Sequence, residues 1–299
     1  MTQHAPQWKG RTGGGTFGQK SLLFFFKYLN VKVGYFFVAL SVPFYMLFGR
    51  KGYKAIYYYF NQRLGLNKWE SFRKTYQNHY RFGQIIIDRM TVLAGKKNPF
   101  TVHLEGNDYF LDLLTKETGF VVAGAHIGSF ELSGYLFPQD KKRINTLVFG
   151  GETETINNNR QRQFTQNNIN MIPVNNDLSH LFAINDALAK GEIVSMAADR
   201  VLGSRQTVTC RFLGENARFP IGAFLLAAMQ KVKVVSVFVL KEPKSRYSIY
   251  VKPIEVEEIP QEVPKQKAER LAKAYAATLE TILEQYPEQW FNYYPFWKQ

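Results

Sequence analysis

The chain has 299 residues, 45% of them apolar and 15% aromatic, including 25 Phe and 17 Tyr, which excludes a disordered or fibrous protein and suffices for one large domain with a small appendage. Its single cysteine, Cys210, excludes an internal disulfide and a multi-cysteine metal centre, and makes a reducing cytoplasmic compartment the default. The net charge of +14 selects a polyanionic partner, a requirement that nucleic acid and an anionic bilayer leaflet both meet.

Residues 1–20 are polar and glycine-rich, with Gly13 to Gly15 in a row, and read as a flexible lead-in. Residues 21–98 read as a membrane-associating helical region. Within it, residues 33–48 (VGYFFVALSVPFYMLF) hold no charged side chain and lie between Lys20, Lys27 and Lys32 on one side and Arg50, Lys51 and Lys54 on the other. That run is shorter than the roughly 20 residues needed to cross hydrocarbon, and Pro43 is expected to kink or split its helix. A short or tilted anchor, or a helix lying in the interface, is the expectation; a core helix of a soluble protein is the competing reading. Tyr53 and Tyr57 to Tyr59 beside Lys54 suit an interfacial belt. Helical periodicity covers residues 54–94, with Ile85, Ile86, Met90 and Leu93 on its apolar positions.

Residues 99–299 read as an α/β domain, because short apolar runs now alternate with segments of helix length. Strands are expected at 101–104, 119–125, 144–149, 169–174, 191–198, 206–213, 232–240 and 246–254. Helices are expected at 107–117, 128–137, 177–190 and 220–230, with a last amphipathic helix over 264–285. The fold class is therefore α/β, with a mixed, largely parallel central sheet flanked by helices.

The informative stretch is GFVVAGAHIGSFELSG, residues 119–134, where a buried strand is expected to end at His126 and a helix to follow. Ligands of open α/β sheets collect beyond the carboxyl ends of strands, so the histidine stands where a catalytic group belongs. Gly124 and Gly128 leave room for close backbone approach. His126 and Glu131 would point about 140° apart on one continuous helix. With His126 on the loop and Glu131 in the first helical turns, the carboxylate can reach one imidazole nitrogen, set the tautomer and raise the basicity of the other. Such an imidazole can deprotonate a hydroxyl or amine attacking a thioester, with the oxyanion held by backbone N–H groups or a cation.

With these residues the chain resembles the lysophospholipid acyltransferase superfamily, and within it the late acyltransferases of bacterial lipid A synthesis, whose signature is a histidine, four residues, then an acidic residue. The resemblance runs through VHLEG (102–106), AHIGSFE (125–131), AADR (197–200), residues 212–239 and YPEQWFNYYPFW (286–297), in that order. It implies a glycerolipid-acyltransferase-like fold, with His126 as general base and Glu131 as its partner. It places Asp199 and Arg200 in an aspartate-led motif near the active site, and Arg218 with Gly222 at the phosphate or glycan end of the acceptor site. Arg160 or Arg162 falls at a further active-site arginine. Ser129 and Phe130 stand where the lipid A enzymes usually carry Asn and Trp, a departure that bears on the acceptor more than on the reaction.

The expected activity is transfer of a fatty acyl chain from an acyl thioester, acyl carrier protein before coenzyme A, to a hydroxyl or amine of a lipid or glycolipid. The thioester is a co-substrate, and no further cofactor or metal is expected, since His4, His79, His103, His126 and His180 are scattered and no H-E-x-x-H occurs. The missing Gly-x-Ser-x-Gly around Ser129 argues against a serine hydrolase. The rivals are a non-catalytic lipid-binding relative and a basic nucleic-acid-binding protein; the second lacks any recognition motif, so the expected partners are membrane lipids and the carrier protein, not nucleic acid. The expected setting is the cytoplasmic face of a bacterial inner membrane, as a monomer or weak oligomer. Asp199 with Arg200 also reads as a plain ion pair, and the C-terminal aromatics as packing.

Overall fold

A computed structural model describes residues 30–93, 100–129, 142–149, 168–174, 179–201, 206–243 and 245–298. Helix α1 (Val31–Phe48) is followed by α2 (Arg50–Tyr58), which runs into a single π turn at Tyr59–Arg63, and by the long helix α3 (Lys68–Leu93). Asn67 and Glu70 cap α3 reciprocally: the Glu70 N–H donates to the Asn67 side chain at 2.9 Å and the Asn67 N–H to the Glu70 carboxylate at 3.3 Å.

Of the kink or split expected at Pro43, the split does not occur: α1 runs through the proline as one helix. A proline removes the N–H that would bond the carbonyl four residues back, here Ala39, and the Tyr76 hydroxyl of α3 donates to that carbonyl at 3.1 Å. Helices α1 and α3 lie side by side in opposite directions: Tyr35 bonds Asp88, Val38 meets Gly83, and the Tyr45 ring lies 5.8 Å from that of His79.

Beyond α3, the α/β arrangement read from the sequence is the observed one. Strands β1 (Thr101–Glu105), β2 (Phe120–Gly124), β3 (Ile144–Phe149), β4 (Ile169–Val174), β5 (Ile193–Ala197), β8 (Lys233–Glu242) and β9 (Arg246–Ile254) form, among the described residues, a seven-stranded sheet in the order β1-β9-β8-β2-β5-β3-β4. All neighbouring pairs are parallel except β8 and β9, which form an antiparallel pair. Helices α4 (Asn107–Thr115), α5 (Ser179–Ala189), α6 (Gly222–Gln230) and α7 (Pro264–Gln285) complete the fold.

The central strand β8 shows why the sheet is buried on both faces. Its Val235, Val237 and Val239 pack with Phe110, Leu113 and Leu114 of α4 on one side. Val234, Phe238 and Leu240 join the larger cluster with α6 and α7 on the other, as the two-residue side-chain period of a strand requires.

The strand expected at 206–213 is observed as β6 (Thr207–Phe212), but its partner β7 (Glu215–Pro220) was not read from the sequence; the two pair antiparallel in a sheet separate from the central one. Its two-residue turn, Leu213–Gly214, has positive φ at both positions, 48° and 79°, the requirement of a type I′ hairpin. A leucine there disguised the turn, because Asn or Asp is the usual signal. Most of the expected helix 128–137 lies outside the described residues.

Candidate active site

Strands β2 and β5 are parallel neighbours, with Gly124 opposite Ala197. His126 and Asp199 each follow that registered pair by two residues, so both loops leave the sheet at the same carboxyl edge and their side chains meet. His126 Nδ1 stands 2.7 Å from Asp199 Oδ1, and the His126 backbone N–H donates to Oδ2 of the same carboxylate at 2.9 Å. The Asp199 side chain is wholly buried, whereas that of His126 is 26% exposed. The aspartate is thus the interior holder and the imidazole the face presented outward.

Burial opposes a charge on Asp199, but the His126 imidazole, its hydrogen bonds and the nearby Arg200 guanidinium outweigh it and hold the carboxyl below its ordinary value. An ionised carboxylate accepts the Nδ1–H, which makes Nε2 the acceptor nitrogen of the neutral ring.

The C-terminal segment packs against this pair and builds its outer frame. The indole N–H of Trp290, itself 1% exposed, donates to Asp199 Oδ2 at 3.3 Å. The Phe291 N–H donates to the His126 carbonyl at 2.8 Å, and the Gly128 N–H to the Gln289 carbonyl at 2.9 Å. Gln289 is tied in turn to β8, its side-chain amide exchanging two 2.9 Å bonds with the Lys241 backbone. From α7, the buried Tyr275 hydroxyl donates to the Gly124 carbonyl at 2.8 Å, and burial with the Asp199 charge keeps that phenol protonated.

Of the two glycines near His126, Gly128 is the one the backbone requires. Its φ is +57°, and a Cβ would fall 2.1 Å from the Val239 carbonyl oxygen, whereas one at Gly124 would meet nothing nearer than 3.6 Å. The Ser129 N–H donates to that same Val239 carbonyl at 2.7 Å, and Ser129 is buried. The N–H groups of Gly128 and Ser129 are therefore spent on holding the loop, and oxyanion donors must come from elsewhere.

The remaining residues singled out in the sequence are distributed as follows. Arg200 lies beside the pair, donating to the Phe291 carbonyl at 3.0 Å with its guanidinium over the Tyr294 ring. Arg218 is exposed on β7, and its guanidinium donates twice to Thr207 across the hairpin, at 3.0 and 3.2 Å. Gly222 opens α6 with open space at its Cβ position. Glu131, Arg160 and Arg162 lie outside the described residues.

Sequence reasoning missed the framing role of Gln289, Trp290 and Tyr275. The one available signal was that a buried indole or phenol needs a partner for its polar hydrogen.

Among the described residues no group of three or more His, Cys, Asp or Glu could hold a metal ion. What the arrangement offers is an imidazole held by a buried carboxylate at the carboxyl edge of a parallel sheet. Comparison with curated proteins gives no match. The family model for bacterial lipid A biosynthesis acyltransferases, in contrast, matches residues 73–299, about three quarters of the chain, including both halves of the His126–Asp199 pair and the segment that frames it. The chain therefore belongs to the bacterial lipid A biosynthesis acyltransferase family, and is an acyltransferase acting on a lipid acceptor.

Proposed function

We propose that this acyltransferase moves a fatty acyl chain from acyl carrier protein to a hydroxyl or amine of a lipid or glycolipid at the cytoplasmic face of the inner membrane, with His126 as general base. The observation that carries the proposal is the 2.7 Å contact between His126 Nδ1 and the buried Asp199 carboxylate. With Nδ1–H committed to Asp199, Nε2 takes the proton of the acceptor as its oxygen or nitrogen attacks the thioester carbonyl. Collapse of the tetrahedral intermediate breaks the carbon–sulfur bond, and the imidazolium returns the proton to the leaving thiolate. Ester or amide and free thiol are the products, without an acyl-enzyme.

Asp199 stabilises the imidazolium formed on the way and keeps the ring turned toward the acceptor. Glu131 enters as the second carboxylate through the family signature alone. A cation serves the oxyanion, with Arg160 or Arg162 the candidates from the resemblance. The overall positive charge suits both an anionic leaflet and an acidic carrier protein.

The test is single-turnover transfer from acylated carrier protein to a lipid acceptor in mixed micelles, read as released thiol. His126→Ala is expected to lower the rate by about 10²- to 10⁴-fold with the fold intact by circular dichroism, and Glu131→Ala to be similarly impaired. Full activity in folded His126→Ala would overturn the assignment. Thiol released equally with and without acceptor would identify a thioesterase instead.

A further inference from the structure

We propose that helix α1 does not cross the bilayer but lies in the plane of its cytoplasmic leaflet, one face held by the protein and the other immersed in lipid. By length and composition the helix qualifies as a span, with 18 residues and a mean hydropathy of 1.7. Its surroundings argue otherwise. Three contacts bind it to α3 along its length: the bond from Tyr35 to the buried Asp88, the Tyr76 hydroxyl on the Ala39 carbonyl that Pro43 leaves without its usual donor, and the passage of Val38 over Gly83. At Gly83 a Cβ would fall 2.3 Å from the Val38 side chain, so the helices cross too closely for any other residue there.

Helix α3 is not a membrane element. The stretch facing α1 carries Lys74, Arg81, Asp88 and Arg89, and its other contacts go straight into the catalytic body. Asn78 donates to the Glu288 and Trp290 carbonyls at 3.2 and 2.8 Å, and Asp88 pairs with the buried Lys241 of β8. Standing α1 upright across the hydrocarbon would carry these charges and the sheet edge in with it, an arrangement that buried polar groups in lipid do not tolerate.

The faces of α1 divide accordingly. Gly34, Val42 and Met46 are buried, while Phe36, Phe37, Leu40, Phe44, Leu47 and Phe48 are between 53% and 80% exposed. The helix is apolar all round because each side meets a different apolar partner, so an even distribution of hydrophobicity needs no span to explain it. Trp69 and Phe72 at the start of α3 form a second exposed, stacked aromatic pair, and Trp69 is of the type that favours the headgroup zone.

Charge identifies the lipid. The first 69 residues contain ten Lys or Arg and no Asp or Glu, and Lys32, Arg50, Lys51 and Lys54, which bracket the exposed face, are all exposed. An anionic leaflet satisfies both the apolar face and its basic margins.

The test uses the full chain, whose native thiol, Cys210, is buried. Lys32→Cys and Lys51→Cys, made separately, are treated with a membrane-impermeant maleimide in sealed inner-membrane vesicles of both orientations. The expected result is that both label in inverted vesicles and neither in right-side-out ones; labelling from opposite faces would overturn the proposal. In a second measurement, Phe36→Ser with Phe44→Ser should weaken binding of the purified protein to phosphatidylglycerol vesicles at least tenfold. Unchanged binding, or a change in oligomeric state instead, overturns it as well. Neither readout depends on acyl transfer, so this proposal and the assignment of the reaction fail separately.

Discussion

Asp199 does two jobs for His126 at once, accepting the ring Nδ1–H through one oxygen and the backbone N–H through the other. The second bond ties the position of the loop to the protonation of the carboxylate, so the residue is a positioning group whose loss acts through the imidazole. Asp199→Asn keeps the shape and can still accept the backbone N–H and the Trp290 indole. It offers Nδ1 a donor or a neutral acceptor instead of a charge, so the favoured tautomer and the stabilisation of the imidazolium are both lost. We expect kcat to fall by about 10²- to 10⁴-fold with little change in KM, and its pH profile to move with it. An equal fall in unfolding temperature and activity would indicate a structural role instead. The sequence made His126 legible through the ordered blocks of the family resemblance, since a histidine and a glutamate at that spacing are a weak pattern by themselves. It left Asp199 open between an ion pair and an active-site residue. The register of β2 against β5 brings Asp199 to His126, 73 residues away in the chain.

At the scale of elements, the N-terminal helices join the sheet through a buried polar knot. Lys241 of β8 donates to Asp88 of α3 and to the Tyr35 hydroxyl of α1, while the Tyr247 hydroxyl of β9 donates to Asp88 at 2.5 Å. Lys241 and Asp88 are 4% and 0% exposed. Burial lowers the Lys241 pKa against the opposing pull of Asp88, and burial with the Asp88 charge raises those of both tyrosines, so the phenols stay protonated as donors. Removing one partner of such a pair leaves the other charge buried without compensation. Lys241→Met should therefore cost about 3–5 kcal/mol in denaturant unfolding, and Asp88→Asn added to it should recover most of that loss. None of this was visible in the periodicity of 54–94, which shows where a helix runs but not what its polar positions meet. The turn and second strand of the hairpin β6–β7 escaped for a local reason: Leu213 occupies a positive-φ position that ordinarily advertises itself with Asn or Gly.

For the molecule as a whole, two groups make acid destabilising. Burial lowers the pKa of His79, which is packed between Tyr45 of α1 and Tyr293 of the C-terminal segment and donates from Nδ1 to the Thr75 carbonyl at 2.8 Å. The unfolded chain therefore binds a proton at this histidine at a higher pH than the folded chain does. Stability is at its full value above the ordinary histidine range and declines as pH falls through about 6.5. The depressed Asp199 pKa has the same sign in a lower window, its contribution present above the ordinary carboxylate value and lost as pH falls through the folded one. Unfolding midpoints should thus drop between pH 7.5 and 5.5, and His79→Gln should reduce that drop; an unchanged slope would remove His79 as its source. By itself the sequence determined what depends on short stretches of chain: the apolar helix near the start, the order of strands and helices, the class of fold, and a histidine at a strand end in a family's motif. Only the tertiary structure decided which carboxylate holds that histidine among the described residues, that the last twelve or so residues frame it, and that α1 lies along α3. Those relations join groups tens to hundreds of residues apart through sheet register and side-chain burial, quantities that no local pattern of residues encodes.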